Sequence, residues 1–370
     1  MTDQQPGDRG AGSPEPDPVV GPCPADPSAV SPRLADHTTF RIGGPAQRIV
    51  VASTEAELIG AVDEADRAGR PLLLLGGGSN VLVGDDGFPG TVVLVATRGR
   101  DWARSPAGQA EVSVAAGEVW DDFVAAALRR GHCGLEALSG VPGSVGAAPV
   151  QNIGAYGSEV AATIRRVRVW DRRRGQVTTL DGSDCGFGYR TSRFKAEPGS
   201  HVILGVHFAL RPAASGELPS HPEVAERLGL APGQCPSPSS VRRVVLDLRR
   251  SKGMLLDPGD HDTWSAGSFF TNPLLTRDQA AALPPAAPRY PQPDGTVKTS
   301  AAWLISAAGF ARGHGDGPAR LSTKHVLALT NRGGATAADV LALAREVRQA
   351  VAARFSIRLT PEPTLVNCAL

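Results

Sequence analysis

The chain has 370 residues, and its 38 Lys and Arg nearly balance its 37 Asp and Glu, which leaves a formal net charge of +1. A chain of this length is too long for one small core, so two or three domains are expected. The near-neutral charge gives no electrostatic footprint for nucleic acid, and no apolar run approaches the length of a membrane span. The five cysteines include no Cys-x-x-Cys pair, which argues against a zinc site or a disulfide framework. We expect a cytoplasmic, monomeric protein with reduced thiols that uses no metal, binds no nucleic acid and does not insert into membranes.

The first 32 residues form a segment rich in Pro and Gly. They contain eight prolines and almost no large apolar side chains. Such a segment cannot bury enough surface to offset the entropy lost on ordering. We therefore predict a disordered tail at 1–32, with order beginning near Leu34.

The next stretch has the pattern of a strand, a helix and a second strand. Residues 48–51 include Ile and two Val, which favour a strand. Thr54 and Glu57 have the spacing of a capping box, and Gly69 stands where a glycine would end the helix. Residues 71–75 are wholly apolar, which suits a parallel strand buried on both faces. The pattern predicts a βαβ unit.

Further alternation of apolar and polar residues predicts a second group of elements. A helix is expected at 120–130, ending before Gly131. Strands are expected at 111–115, 166–170, 177–180 and 201–210.

Residues 211–240 are rich in Pro, Ser and Gly, and we place a domain boundary there. The boundary divides the chain into a domain at 33–212, with subdomains at about 33–97 and 98–212, and a C-terminal domain at 213–370. In the latter we expect helices at 300–308 and 337–354, and a short strand at 356–359 that leads to Glu362.

Two glycine-rich loops are candidate ligand sites. Residues 76–80, Gly-Gly-Gly-Ser-Asn, follow the apolar strand and leave backbone N–H groups accessible to a pyrophosphate. They match neither a Rossmann fingerprint nor a Walker loop, and a plain tight turn is an equal alternative. Residues 139–157 are mostly small and include an amide pair, which suits a backbone wrapped around a flat ligand such as an isoalloxazine ring. A close packing corner between domains is the alternative.

Three side chains beside glycine or proline have the chemistry to reduce an activated C=C bond. Arg190 is a permanent cation, Ser268 can carry a proton and Glu362 is a carboxylic acid. Taken singly, each has a plainer interpretation: a surface ion pair for Arg190, a turn cap for Ser268 and a solvated end for Glu362. Only their combination with the loops favours catalysis.

Six motifs in order give the chain a specific resemblance. They are the loops at 76–80 and 139–157, Phe-Gly-Tyr-Arg, Gly-Ser-Phe-Phe-x-Asn-Pro, Tyr-Pro-Gln-Pro-Asp-Gly and a terminal Pro-Glu. From about Leu34 to the last residue the chain resembles the UDP-N-acetylenolpyruvoylglucosamine reductase family. The resemblance implies an α+β fold: a two-part FAD-binding domain of the vanillyl-alcohol-oxidase (PCMH) type, followed by a smaller α+β substrate-binding domain. It also implies a role in peptidoglycan precursor synthesis.

The same resemblance implies roles for individual residues. The implied catalytic residues are Arg190, Ser268 and Glu362. The implied contacts to non-covalent FAD are Gly76, Gly77, Gly78, Ser79, Asn80, Gly143, Ser144, Gly146, Ala147, Gln151, Asn152, Ile153, Gly154 and Arg249. The implied contacts to the UDP-sugar are Tyr156, Tyr189, Lys252, Asn272 and His325.

The mechanism implied by the resemblance uses NADPH to reduce FAD. Flavin N5 then delivers hydride to the terminal carbon of the enolpyruvyl ether. Arg190 and Glu362 would stabilise the enediolate-like intermediate, and Ser268 would protonate the adjacent carbon. A guanidinium keeps its charge and a protonated carboxyl group can donate a hydrogen bond, so the residue types suit these roles.

One feature departs from the family pattern. Members of this type usually carry a tyrosine on a mobile loop that clamps the substrate diphosphate. This chain has no tyrosine between Tyr189 and Tyr290, and the nearest match is His221. A lysine often found in the Gly-Ser-Phe-Phe motif is Thr271 here.

Two other functions are compatible with the same residues. One is a flavin oxidase that uses oxygen and another small substrate, although the His or Cys that often tethers FAD is absent from loops 76–80 and 139–157. The other is a nucleotide-binding module without turnover, which the missing tyrosine would permit.

Overall fold

The computed structural model describes residues 30–104, 109–213, 221–230 and 234–370. The predicted tail at 1–32 lies outside the described residues except for its last three positions. Parts of the region 211–240, where the domain boundary is predicted, lie outside them too.

In the described ranges, strands and helices are interspersed along the chain. The strands are β1 Ala46–Ala52, β2 Leu72–Leu75, β3 Val81–Val83, β4 Phe88–Val95, β5 Arg100–Arg104, β6 Ala110–Ala115, β7 His132–Cys133, β8 Gly154–Ala155, β9 Ser158–Glu159, β10 Ile164–Asp171, β11 Gln176–Asp181, β12 His201–Pro212, β13 Leu274–Leu275, β14 Tyr290–Pro291, β15 Val297–Lys298, β16 Ala319–Leu321, β17 Leu329–Asn331 and β18 Thr364–Val366. The helices are α1 Glu55–Arg67, α2 Trp120–Arg129, α3 Arg193–Ala196, α4 Pro222–Leu228, α5 Pro238–Ser251, α6 Arg277–Ala281, α7 Ala301–Ala307 and α8 Ala337–Phe355.

The first subdomain is a parallel three-stranded sheet in the order β1-β4-β2, with α1 connecting β1 to β2. Thr54 and Glu57 form the predicted capping box, and Gly69 follows α1 with a φ of +60°. The parallel pairing expected for 71–75 is present, and its leucines pack into two apolar clusters, Leu73 and Leu75 in one and Leu72 and Leu74 in the other. The burial is less complete than expected, since only Leu75 of β2 is buried and the other three are partly buried. The missed strand β4 takes the central place and leaves β2 at the edge of the sheet.

The second subdomain is an antiparallel sheet in the order β11-β10-β12-β6-β5, with β7 pairing to the far end of β12. The predicted strands and the predicted helix α2 are confirmed. Trp120 and Phe123 of α2 are fully buried and pack with Phe208 of β12. This face of the sheet and α2 therefore enclose one apolar core.

The C-terminal part packs α7 and α8 against the small antiparallel sheets β13-β15-β14 and β16-β17. Both predicted helices are present, and α8 begins at a capping box formed by Thr336 and Asp339. No helix in the described residues is long and apolar enough to span a bilayer.

One expectation for the C-terminal part is wrong, since the residues at 356–359 form no strand. The region at 211–240, where we place the domain boundary, contains α4 and the first residues of α5. Helix α5 has Ser237 as its N-cap and Pro238 in its first turn, so part of the Pro and Ser content of this region starts a helix.

The end of the chain returns to the first subdomain. Strand β18 pairs in parallel with β3, and Thr364 N–H donates to the Asn80 carbonyl at 3.0 Å. The C-terminal core also takes in Phe40 and Leu82 from the N-terminal part. This return brings the C-terminal Pro-Glu motif onto the first glycine-rich loop. The domain limits at 33–212 and 213–370 stay a prediction.

Candidate active site

A cavity of about 480 Å³ lies where the glycine-rich loops meet the C-terminal part. Its wall includes loop 76–80, much of loop 139–157, the end of α5, and the stretch around Ser268. Arg190 and Glu362 complete the lining, so the three proposed catalytic residues face one space.

The two glycine-rich loops are in direct contact with each other. A Cβ on Gly77 would lie 2.8 Å from Gly143 Cα, and one on Gly76 would lie 2.4 Å from Ser144 Oγ. The Ser79 hydroxyl donates to the Pro142 carbonyl at 2.9 Å. Glycine is therefore needed at position 77 because the loop backbones pack against each other there, while at position 76 a Cβ would meet the Ser144 side chain.

The first loop presents unpaired backbone donors. The N–H groups of Gly77, Gly78 and Ser79 have no acceptor among the described residues. Consecutive free amides in a turn, with Gly78 at a φ of +59°, form a concave donor set for an anion. The arrangement fits the pyrophosphate of a dinucleotide such as FAD, while the adjacent small and apolar residues leave room for a flat ring.

Asn80 connects both loops to the acidic residue. Its Nδ2 donates to Gln151 Oε1 at 2.9 Å, and Gln151 Nε2 in turn donates to Glu362 Oε1 at 3.3 Å. The Glu362 backbone N–H donates to the Phe269 carbonyl at 2.8 Å. The carboxyl group is thus oriented by the N-terminal loops on one side and by the Gly-Ser-Phe-Phe segment on the other.

Arg190 and Glu362 form a largely buried ion pair. Arg190 Nε lies 3.0 Å from Glu362 Oε1, and the two side chains are 20% and 14% exposed. Burial raises the pKa of Glu362, and the nearby charges of Arg190 and Lys195 offset only part of that rise. The Arg190 Nη2 group donates to the Gly154 carbonyl at 2.6 Å. Arg190 Nε–H, although close to the carboxyl oxygen, is not aligned on it and lacks a hydrogen-bond acceptor among the described residues.

The backbone at Arg190 is unusual for a residue with a side chain. Its φ is +53°, in the left-handed region that favours glycine. Such strain persists where the surroundings fix it, and it is concentrated at functional sites. Here the Gly154 and Glu362 contacts hold the guanidinium at the cavity.

The segment that contains Ser268 runs antiparallel to the segment that contains Glu362. An isolated bridge joins Phe270 to Pro361, and Gly267 precedes the serine with a φ of +71°. The Ser268 side chain is partly buried, lines the cavity and has no hydrogen-bond partner in the described part of the chain. Its hydroxyl is free to meet a ligand.

A basic and aromatic cluster lines the cavity near the end of α5. Lys252 Nζ lies 5.6 Å from the centre of the Tyr156 ring and 2.6 Å from Glu223 Oε2. The His221 ring stands edge-on to Tyr156 at 5.3 Å. Burial lowers the pKa of His325 to about 4, with Lys252 and Arg312 acting in the same direction, so this imidazole is neutral at neutral pH. The cluster offers one ammonium group and several neutral donors to an anionic ligand.

Arg249 acts as a fixed part of the wall. It is partly buried, and its guanidinium donates to the Gly140 carbonyl at 3.0 Å and to the Met254 carbonyl at 2.8 Å. Burial lowers its pKa. Because Arg249 is fixed by these two carbonyls, it places a positive charge next to loop 139–157.

Most residues implied by the resemblance line this cavity, but four do not. Asn152 is buried, and its Nδ2 donates to Glu159 Oε2 and to the Gly188 carbonyl. It therefore stabilises loop 139–157 without lining the cavity. Gly146 is in close contact with Ala116, where a Cβ would approach to 2.6 Å. Tyr189 and Asn272 lie outside the lining but contact each other, as the Tyr189 hydroxyl accepts from the Asn272 N–H at 3.2 Å.

Several lining residues were not found from the sequence. Lys195 lines the cavity, and its Nζ donates to the Arg190 carbonyl at 3.1 Å. Met254, Leu256 and Trp120 contribute apolar surface. For Lys195 alone the sequence contains a signal, because it lies only five residues after Arg190 in the chain. The positions of Met254, Leu256 and Trp120 depend on how α5 and α2 pack in the folded chain. Within the described ranges, no group of three or more His, Cys, Asp or Glu is placed to hold a metal.

Comparisons with known proteins agree with this architecture. Residues 46–181 match the family model of an FAD binding domain, and residues 257–366 match the C-terminal domain of UDP-N-acetylenolpyruvoylglucosamine reductase. A solved UDP-N-acetylenolpyruvylglucosamine reductase from Thermus caldophilus aligns with a TM-score of 0.61 and 27% identity, covering 90% of this chain and 97% of that one. The predicted α+β fold with an FAD-binding domain is confirmed.

Curated relatives match over nearly the same length. The UDP-N-acetylenolpyruvoylglucosamine reductase of Cutibacterium acnes is 53% identical, with 91% of this chain and 90% of the relative covered. The protein of that name from Streptomyces coelicolor is 52% identical, again with 91% of this chain and 90% of the relative covered.

Proposed function

This chain belongs to the UDP-N-acetylenolpyruvoylglucosamine reductase family, and we propose that it reduces the enolpyruvyl ether of that UDP-sugar to UDP-N-acetylmuramate with NADPH. FAD is its cofactor. Loops 76–80 and 139–157 would hold it, and when bound it would supply the redox chemistry that transfers a hydride from NADPH to the terminal carbon of the enol ether. The observation that carries the proposal is the placement of Arg190, Ser268 and Glu362 around one cavity whose other wall fits a dinucleotide.

Arg190 and Glu362 stabilise the negative charge that appears on the substrate carboxylate. The guanidinium keeps its charge throughout, and its buried Nε–H has no hydrogen-bond acceptor among the described residues. Burial raises the pKa of Glu362, which favours the protonated form that can donate a hydrogen bond to an anion. Donors fixed in a site with little water are worth more than the same donors in solution.

Ser268 donates the proton that completes the addition. Its hydroxyl faces the cavity without a partner in the described residues, which leaves it free to approach the carbon next to the carboxylate. A serine hydroxyl is a weak acid, so its proton moves only toward a strongly basic centre such as an enediolate.

The binding cluster at the end of α5 receives the nucleotide part of the substrate. Lys252 offers a positive charge for the diphosphate, and Tyr156 offers an aromatic face beside it. His325 contributes a neutral donor or acceptor, since its pKa of about 4 keeps it uncharged. Tyr189 and Asn272 act on the substrate from the neighbouring surface.

We assign the flavin to residues 33–212 and the sugar nucleotide mainly to residues 213–370. NADPH and UDP-sugars are metabolites of the cytoplasm, so we place the reaction there.

The test is the conversion itself. Purified, FAD-loaded protein is incubated with NADPH and UDP-N-acetylenolpyruvoylglucosamine, and the product is identified by mass spectrometry. We expect a product two hydrogens heavier that co-elutes with UDP-N-acetylmuramate. Consumption of NADPH only in the presence of oxygen, with no change in the sugar nucleotide, would support a flavin oxidase instead. Tight binding of the UDP-sugar without turnover would support the binding module.

A further inference from the structure

The ammonium group offered to the substrate is already paired in the free protein. Lys252 Nζ donates to Glu223 Oε2 at 2.6 Å, with the two side chains 31% and 37% exposed. Lys252 follows the last residue of α5, where the helix dipole also favours a cation. Lys252 lines the cavity, whereas Glu223 does not. The carboxylate therefore reaches the ammonium from the α4 side.

Among the titratable groups around Lys252, Glu223 is the anion that balances the positive charge of the ammonium group. Burial is the main cause of the lowered pKa of His325, and the charges of Lys252 and Arg312 lower it further. The charge of Glu223 acts in the opposite direction and raises this pKa. Burial likewise lowers the pKa of His221, and Glu223 opposes Lys252 there as well. Both imidazoles and Tyr156 are neutral at neutral pH, so the local charge balance depends on one carboxylate.

Apolar contacts dock α4 on α5. Val224, the residue after Glu223, is fully buried against Val241, Val245 and Leu248 of α5. Apolar burial of this kind stabilises the docking of a short helix without an ion pair. An ion pair whose side chains are 31% and 37% exposed adds little stability of its own. Its position at the mouth of an anion-binding cavity therefore calls for a different explanation.

We propose that Glu223 is a resident counter-ion for Lys252 that the diphosphate of the UDP-sugar displaces when it binds. The inference rests on the proposed substrate. Binding exchanges one ion pair for another, so the free enzyme keeps its ammonium oriented and shielded. A ligand must carry enough negative charge to compete with the carboxylate, and Glu223 thereby sets a threshold that favours diphosphates over neutral or weakly charged nucleosides.

The experiment compares the affinities of the FAD-loaded wild type and Glu223→Gln for UDP and uridine, by calorimetry at low ionic strength. Removal of the competing charge should tighten UDP binding about two- to fivefold, the range expected for a partly exposed ion pair, and leave uridine unchanged. Glu226→Gln is the matched control, since Glu226 lies on the same helix but is exposed to solvent. It alters the net charge equally and should leave both affinities as they are.

A Lys252→Met background makes the test specific. UDP binding should weaken there, and adding Glu223→Gln should give no further gain, because the cation for which carboxylate and diphosphate compete is gone. Unchanged or weaker UDP binding in Glu223→Gln, with an unchanged melting temperature, would overturn the inference, as would a gain that persists without Lys252. If the wild type reduces the UDP-sugar but Glu223→Gln leaves UDP affinity unaltered, only this inference fails. If UDP binds the wild type no better than uridine, the proposed substrate fails with it.

Discussion

The two sides of the cavity are built in different ways. The side that we assign to the flavin is made of loops in contact, where Gly77 leaves no room for a side chain against the Gly143 backbone. The side that we assign to the nucleotide, at the end of α5, is made of side chains that can exchange partners, with the Lys252 and Glu223 side chains 31% and 37% exposed. Arg190 and Glu362 lie between them and are much less exposed.

The contrast indicates which interactions must stay fixed during turnover. A cofactor that remains bound is suited to a rigid backbone cradle, since little entropy is lost on each cycle. A substrate that enters and leaves is suited to charges that another group can satisfy in its absence. Substitutions on the first side should therefore abolish cofactor binding, and those on the second should shift substrate affinity by small factors.

The largest effect is expected between the two sides, at the proton donor. Ser268→Ala should lower the rate of product formation about 100- to 1,000-fold, since one positioned acid is lost. Reduction of the flavin by NADPH should continue, because Ser268 acts on the substrate. Stopped-flow measurement of each half-reaction separates the two. Ser306→Ala, an exposed serine on α7, is the control and should behave as the wild type. An equal loss in both half-reactions would contradict the assigned role.

The next largest effect tests the rigid side. Gly77→Ala would place a Cβ 2.8 Å from the Gly143 backbone, where no flexible group can yield. We expect the variant to lose FAD on gel filtration and to lose about 1–3 kcal/mol of stability through overpacking. Gly60→Ala, in the middle of α1 with open space around it, should retain FAD and gain about 0.5–1 kcal/mol through helix propensity. Full FAD retention by Gly77→Ala would disprove the close loop contact.

A smaller effect tests the buried pair. The pKa of Glu362 is raised above its usual 4.5 by burial, so the folded state binds this proton more tightly than the unfolded state. Stability from this group is present below pH 4.5 and is lost as the pH rises through the folded-state pKa. The free energy of unfolding of Glu362→Gln should thus improve relative to the wild type as the pH rises. Denaturant titrations across that range measure the difference, and a trend in the opposite direction would show that Arg190 outweighs burial.

The smallest effect is expected at His325. Its pKa is lowered from 6.5 to about 4, so the folded state binds this proton less tightly than the unfolded state. The corresponding stability is present above pH 6.5 and is lost as the pH falls toward 4. His325→Gln should remove that acid-side loss and leave the pH profile of kcat/KM near neutrality unchanged. A shifted profile would mean that His325 carries a proton in the reaction.

Much of the fold followed from local patterns in the sequence. The Thr54–Glu57 capping box, Gly69 and the alternation along β12 each reflect local physics, and the helix and strand predicted from them are present. Strand β4 was missed because Pro89 and Gly90 stand near its start, where they argue against a central strand. Helix α5 was missed because the Pro, Ser and Gly of 211–240 were interpreted as a domain boundary, although Val241, Val245 and Leu248 have helical spacing.

The site was predictable in composition but not in arrangement. The motifs identified Arg190, Ser268 and Glu362, and all three line the cavity. Glu362 reaches the cavity because β18 pairs with β3, and these two strands are far apart in the sequence. The Lys252–Glu223 pair could not be predicted for the same reason, whereas the short separation between Lys195 and Arg190 in the chain gave a signal for the place of Lys195. The placement of Tyr189 and Asn272 beside the cavity is set by packing around β15 and α7, which no motif records.

The most direct test of the central claim is an anaerobic single turnover. The FAD-loaded protein is reduced with one equivalent of NADPH, mixed with UDP-N-acetylenolpyruvoylglucosamine, and followed by the absorbance of the oxidised flavin. The account predicts that the oxidised spectrum returns without oxygen and that one equivalent of UDP-N-acetylmuramate forms. A flavin that stays reduced until oxygen is admitted would contradict the assignment of this cavity to the reduction of the enolpyruvyl group.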